Sequence, residues 1–269
     1  MGDGPLSDVV GGIGEVVRLG AGNPSMRRAG DNLAYGLEVV TGLVRTALLP
    51  LAVVNARAQA YFADKFPDQL GEKLADVPPD QIVTPKPSVA GPAMQGLNFS
   101  HEEEDLRDLY LNLLATAMDG RIAASAHPAF AEIIAALSAA EVAALDVVLR
   151  GGRVLLAEIR VTNDGEEGWA TVHRHLSPWT RNGLPDTDPM LPAYLDNWAR
   201  LGLVELSYMN FATGETTYAW VAERPEYKEH EASLVDGQKL IFEKGVATVT
   251  EFGKAFSRAV RIGEQRRGA

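Results

Sequence analysis

Between Leu106 and Met118 the apolar residues fall at intervals of three and four: Leu106, Leu109, Tyr110, Leu113, Leu114, Ala117 and Met118. That spacing closes one continuous face of an α-helix and no face of a strand. Just ahead stand Glu102, Glu103, Glu104 and Asp105, negative charge at the positive end of the helix dipole. Ser100 with Glu103 reads as a capping box. A helix with so wide an apolar face needs partners, and they follow directly. Pro128 opens a short helix with Phe130, Ile133, Ile134 and Leu137 inside. Ser138 and Glu141 repeat the capping box and start a third helix to about Leu149, with Val142, Leu145 and Val148 inward. Helices joined by such short turns read as one bundle.

The flanks differ in character. Residues 1–30 carry Gly2, Gly4, Gly11, Gly12, Gly14, Gly20, Gly22 and Gly30, which predicts a flexible arm. Residues 31–75 are helix-friendly, and Leu33, Leu37, Val40, Val44, Leu48 and Leu51 form an amphipathic stripe over 31–66 that Pro50 should kink. From Asp76 to Pro92 five prolines predict an extended connector. Residues 76–150 are thus a proline linker and a three-helix bundle.

After Gly151-Gly152 the pattern changes. Residues 153–161 read as a strand, Pro189 to Leu201 as a helix with Leu191, Leu195, Trp198 and Leu201 inward. Residues 203–209 and 216–222 are strand-like around a turn, which predicts a hairpin. Residues 239–250 offer two short strands around Glu243–Gly245, and Thr250 caps a last helix with Phe252, Phe256 and Val260 on one face. The expected class is mainly α with a smaller α+β part: an N-terminal helical bundle, then a winged-helix-like domain over 151–269.

Composition excludes several functions. The net charge of −11 repels phosphate backbones and anionic membranes. With no cysteine there are no disulfides, thiolate nucleophiles or cysteine zinc sites. The start lacks the basic region of a secretory signal, and the apolar run Thr46 to Ala56 is too short to span a bilayer. These features predict a soluble, cytoplasmic protein.

The candidate chemistry is thin. His173 and His175 alternate on a possible strand, a spacing that would put both on one face; with no third ligand at a recognisable distance they read as an exposed pair at the strand surface. His127, before Pro128, reads as the residue leading into a helix. The Glu102–Asp105 run is explained by the helix dipole, no nucleophile elbow is present, and the Gly-rich start has no Gly-Lys-Ser/Thr ending to cradle phosphate. Catalytic, cofactor and metal residues are therefore expected to be none. Arg200, on the helix that a winged helix would present to DNA, and Arg258 and Arg261 near the basic end are the positions that would meet nucleic acid.

The stretch from Ile82 to Leu145 resembles the bacterial abortive-infection alpha family. The resemblance rests on Leu106-Arg107, Leu113-Leu114-Ala115, Ala117-Met118-Asp119, His127-Pro128 with Phe130, Ile133-Ile134 and Leu137-Ser138. It extends to Leu201-Gly202-Leu203 and to Thr250-x-Phe252-Gly253-x-x-Phe256, over roughly residues 75–262. It implies a link to phage defence by abortive infection, in a family without agreed catalytic residues. The leading expectation is a non-enzymatic protein-interaction component, acting with a partner protein or as a homo-oligomer. A winged-helix nucleic-acid-binding regulator and a membrane-active effector working through helix 31–66 are the alternatives.

Overall fold

The computed structural model describes residues 56–165 and 167–262. The Gly-rich arm, most of the 31–66 stripe with its Pro50 kink, and Arg266 and Arg267 lie outside them. In chain order the elements are α1 (Ala56–Ala60), a π-helical turn (Tyr61–Lys65), α2 (Phe66–Leu74), α3 (Pro87–Ser100), α4 (Glu104–Met118), α5 (Ala129–Ala135) and α6 (Ala139–Gly151). Then come β1 (Arg153–Asn163), β2 (Ala170–Leu176), β3 (Thr180–Arg181), β4 (Leu184–Pro185), α7 (Leu191–Arg200) and β5 (Val204–Ser207). The last are α8 (Trp220–Glu223), α9 (Pro225–Ala232), β6 (Gln238–Val249) and α10 (Glu251–Val260). Helix and a curled, four-stranded antiparallel sheet share the protein, which divides into two compact units. Among the described residues one unit holds 56–143 and 256–262, the other 144–255.

The helical unit is built round α4. Every residue of its predicted stripe is buried, and so are Leu111, Asn112, Ala115 and Thr116 on its other sides. The helix is enclosed all round, which a stripe alone does not predict. Its two polar members are used: Asn112 Nδ2 donates to the Val260 carbonyl at 2.9 Å and Thr116 Oγ1 to the Ala259 carbonyl at 2.8 Å. These are carbonyls of the last turn of α10, which have no partner within their own helix.

Local chemistry held in most places and failed in two. Ser138 and Glu141 form the expected reciprocal cap: the carboxylate accepts from the Ser138 N–H at 2.8 Å, and the Ser138 hydroxyl accepts from the Glu141 N–H at 3.3 Å. His127 leads into α5 with Nδ1 accepting from the Ala129 N–H at 3.1 Å. Ser100, however, ends α3, and Glu103 is the N-cap of α4 without a side-chain bond. The connector is also shorter than its prolines imply. Pro87 starts α3, where its missing N–H costs nothing, and Pro92 is accommodated inside the helix.

Asp119 closes α4. Its buried carboxylate takes Nε of Arg121 at 2.8 Å and Nη2 at 2.7 Å. Hydrogen bonds from Arg121 hold this carboxyl below its ordinary range, outweighing the opposing effect of burial. The clasp sits where Gly120 N–H donates to the Gln81 carbonyl at 2.7 Å, so it fastens the Pro-rich connector to the end of α4.

The second unit carries the sheet, in order β2-β1-β6-β5. β1 and β6 pair without interruption from Arg153↔Thr248 to Asn163↔Gln238. β6 is therefore one long strand rather than two short ones. The expected 203–209/216–222 hairpin is also replaced: β5 pairs with the end of β6, while 216–222 forms turns and the start of α8. Residues with strand propensity are recruited there by burial instead, since Tyr218 and Val221 pack with Ala157, Ile159 and Leu176 on one face of the sheet.

The two C-terminal motifs meet. Gly202 turns the chain after α7 with φ 73°. Thr250 Oγ1 donates to its carbonyl at 2.6 Å and accepts from the Gly253 N–H at 2.8 Å, capping α10 as expected. A Cβ on Gly253 would run into the Leu203 carbonyl oxygen.

Candidate functional site

The sheet has one face on the apolar cluster and another that is polar. Because side chains alternate, Leu155, Ala157 and Ile159 of β1 share their face with Leu240 and Phe242 of β6. Glu158 and Arg160 stand on the reverse face with Ile241 and Glu243. There Glu158 lies directly opposite Glu243, an arrangement that like charges disfavour. Arg160 resolves it. Its Nε donates to Glu158 at 2.8 Å and its Nη1 to Glu243 at 2.9 Å. The Thr171 hydroxyl adds a 3.0 Å bond to Glu158, and Arg174 stands 3.5 Å away. Burial opposes the charge of Glu158, but the bonds from Arg160 and Thr171 and the two guanidinium charges outweigh it and hold the carboxyl below its ordinary range. The ring of Trp169 covers the Arg160 guanidinium at 4.4 Å.

β2 departs from regular alternation twice. Ala157 pairs with Leu176, Ile159 with His173 and Arg160 with Thr171, so the strand bulges on both sides of His173. In the bulge His175 takes a left-handed conformation, φ 54°, uncommon for a residue with a side chain. The expected exposed His pair on a shared face is overturned by this bulge. His173 is half-buried beside His230, ring centroids 6.5 Å apart, and burial lowers its pKa. His175 is only 7% exposed and stacks on Tyr208 at 6.0 Å.

His175 is held at both nitrogens. Nδ1 lies 2.9 Å from the Tyr208 hydroxyl, and Nε2 lies 3.1 Å from Asp196 on α7. The Tyr208 oxygen also accepts the His175 backbone N–H at 3.3 Å, which frees the hydroxyl proton for Nδ1 and leaves Nε2–H to donate to Asp196. Tyr208 follows β5 and lies over Gly245, where a Cβ would meet the ring. Burial pushes its hydroxyl up to about 12. The Tyr–His–Asp chain thus has the connectivity of a proton relay, with a phenol at its inner end that stays protonated at neutral pH. A nucleophile needs the opposite shift.

Among the described residues no group of three or more His, Asp or Glu is placed to hold a metal ion. Nor is any described helix long and apolar enough to cross a membrane. Of the three arginines singled out from sequence, Arg200 is exposed at the end of α7 and donates to Asn197 at 2.7 Å. Arg258 is exposed on α10. Arg261 turns the chain after α10 with φ 53° and donates to the Lys73 carbonyl at 3.2 Å, so it closes the end of α2. Arg258 and Arg261 share one helix end in the helical unit, and Arg200 belongs to the other unit.

The network Glu158, Arg160, Trp169, Arg174, Asp196 and Tyr208 was missed in the sequence. One signal was readable: Glu158 and Arg160 are two apart on a predicted strand and must share a face. Nothing in His-Arg-His-Leu announces a bulge.

A family profile described as abortive infection alpha matches residues 58–260 of the 269-residue chain. The chain belongs to the abortive infection alpha family. Comparison with curated proteins and with solved structures gives no match. In this abortive infection alpha protein the residues that carried the resemblance serve the fold: Asp119 clasps Arg121, His127 leads into α5, and Thr250 with Gly253 locks α10 to Gly202 and Leu203.

Proposed function

We propose that this abortive infection alpha protein is a cytoplasmic, non-enzymatic component of phage defence that works through protein–protein contact. The family match over residues 58–260 carries the defence role. The non-enzymatic part is supported by the polar sheet face. Its carboxylates are engaged by arginines, and its relay ends in a phenol whose ionisation burial pushes up to about 12. The test is phage challenge of cells expressing the full chain. Fewer plaques, with early collapse of infected cultures, is the expected result. Unchanged plating across a broad phage panel would sink the defence role. Loss of protection on Tyr208→Phe, with the fold and all protein contacts intact, would argue for chemistry at the relay.

A second reading is favoured by topology. β6 lies between β1 and β5, α7 leads into β5 and α10 follows β6, an order compatible with a winged-helix-like domain. On that reading Arg200, Arg258 and Arg261 would meet nucleic acid. Asp196 stands on the same helix as Arg200, and the chain as a whole carries −11. A mobility shift at low salt that weakens steeply as salt is raised would favour this regulator over the interaction component.

A further inference from the structure

We propose that the outer face of β1, β2 and β6, centred on Trp169 and Ile241, is a self-association surface that takes a second copy of this chain. The inference deepens the protein-contact reading above and rests on it. Trp169 is 59% exposed and Ile241 43% exposed, and both adjoin Arg160: the indole stacks on its guanidinium, and Ile241 is its cross-strand partner on β6. Arg160 is itself only 14% exposed and fixed by two carboxylates. The indole therefore rests on a rigid base and is presented in one orientation before any partner arrives. Preorganised aromatic area of this kind is what binding centres use, because little conformational freedom is lost on contact.

Charge identifies the occupant. A chain of net charge −11 repels its own copies, so self-association needs a surface where charge is locally balanced. This face is balanced. Arg160, Arg174 and Lys239 stand against Glu158, Glu243 and Asp164, all joined in ion pairs across or beside the three strands. Arg174 and Glu243 are 68% and 42% exposed in their side chains and retain room for a partner. A patch with an apolar centre and exposed charges of both signs can complement itself about a two-fold axis, Arg174 of one copy meeting Glu243 of the other. Two-fold pairing is the commonest closed symmetry and asks for just this self-complementarity. A polyanionic ligand would meet as many carboxylates as cations here.

The test is sedimentation equilibrium of the full chain over a wide concentration range, with Trp169→Ser and Arg174→Glu alongside. Circular dichroism and thermal midpoints show whether each variant is folded. The wild type is expected to form a dimer, and each folded variant to dissociate at least about tenfold more readily, since ~1.4 kcal/mol is a factor of ten. Trp169→Phe should retain the dimer. A wild type that is monomeric throughout overturns the proposal, as does a dimer that both variants leave intact. Co-purification of nucleic acid that Arg174→Glu abolishes, with no dimer, also overturns it in favour of a nucleic-acid face. Phage challenge keeps the two readings apart: folded, monomeric variants that still protect would show that protection does not run through this surface, while leaving the surface assignment standing.

Discussion

Thr116, fully buried in the last turn of α4, donates a 2.8 Å hydrogen bond to the carbonyl oxygen of Ala259 in the last turn of α10. One turn earlier on the same helix, Asn112 does the same for Val260. These bonds join residues more than a hundred positions apart and account for Asn112 and Thr116, two polar side chains buried among the apolar residues of the helix. Thr116→Val keeps the shape, removes the donor and leaves a buried carbonyl without a partner. The expected cost is about 1–3 kcal/mol of stability. Chemical denaturation of the full chain measures it, and an unchanged midpoint would show that water reaches the Ala259 carbonyl.

Gly253 is fixed by a different constraint. Any Cβ there overlaps the Leu203 carbonyl oxygen, a backbone atom that cannot swing aside. Gly253→Ala must either push α10 away from β5 or strain the cap at Thr250. Overpacking of this kind costs about 1–3 kcal/mol. Gly91→Ala, inside α3 where an added methyl group meets open space, is the control and should be neutral or better. Equal loss in both variants would remove the close approach as the explanation.

What was legible in the sequence was local or periodic. The stripe of α4, the cap at Ser138 and Glu141, the cap at Thr250 and the strand at 153–161 all follow from neighbours along the chain. What was hidden depends on pairings distant in sequence. Residues 216–222 have good strand formers, yet Tyr218 and Val221 gain more by packing on Ala157 and Ile159 than by extending the sheet. Ser100 and Glu103 match a capping box, but α3 claims Ser100 as its last residue. At the candidate site the strict two-residue period fails because β2 bulges on both sides of His173, and that separates two histidines whose spacing alone would put them together.

The bulge makes a prediction of its own. At φ 54° His175 occupies a region that Asn tolerates and β-branched residues do not. His175→Val should therefore cost more than His175→Asn, by about 1–3 kcal/mol, because strain is added to the lost bonds with Tyr208 and Asp196. Equal thermal midpoints for the two variants would mean that the left-handed turn is not enforced by the fold.

Acid should reach the clasp at Asp119 before the apolar core. Its carboxyl ionises below the ordinary 3.8 because of Arg121, so the unfolded chain binds protons more readily there. The contribution is present in full above that ordinary value and is lost as pH falls through the lower folded value. Asp119→Asn should lower the denaturation midpoint at neutral pH, and the gap from wild type should narrow in acid. A gap that stays constant to low pH would show that the clasp acts by shape rather than charge.

Alkali probes the sheet's polar face and α4 together. Tyr208 and Tyr110 are both pushed up by burial to about 12, against an ordinary value of 10.0. Between those values the unfolded chain gives up its phenolic protons while the folded chain keeps them. The unfolded state then binds fewer protons, and stability falls as pH rises from 10 towards 12. Below 10 the contribution of both hydroxyls is intact. Phenolate absorbance and far-ultraviolet circular dichroism, followed together, should show these tyrosines ionising only as the fold is lost. Tyr208→Phe removes one of the two groups and should shift alkaline unfolding to higher pH, although it weakens the hold on His175 at neutral pH. Reversible ionisation of Tyr208 near 10 with the dichroism unchanged would show its hydroxyl open to water and would remove burial as the cause of its shift.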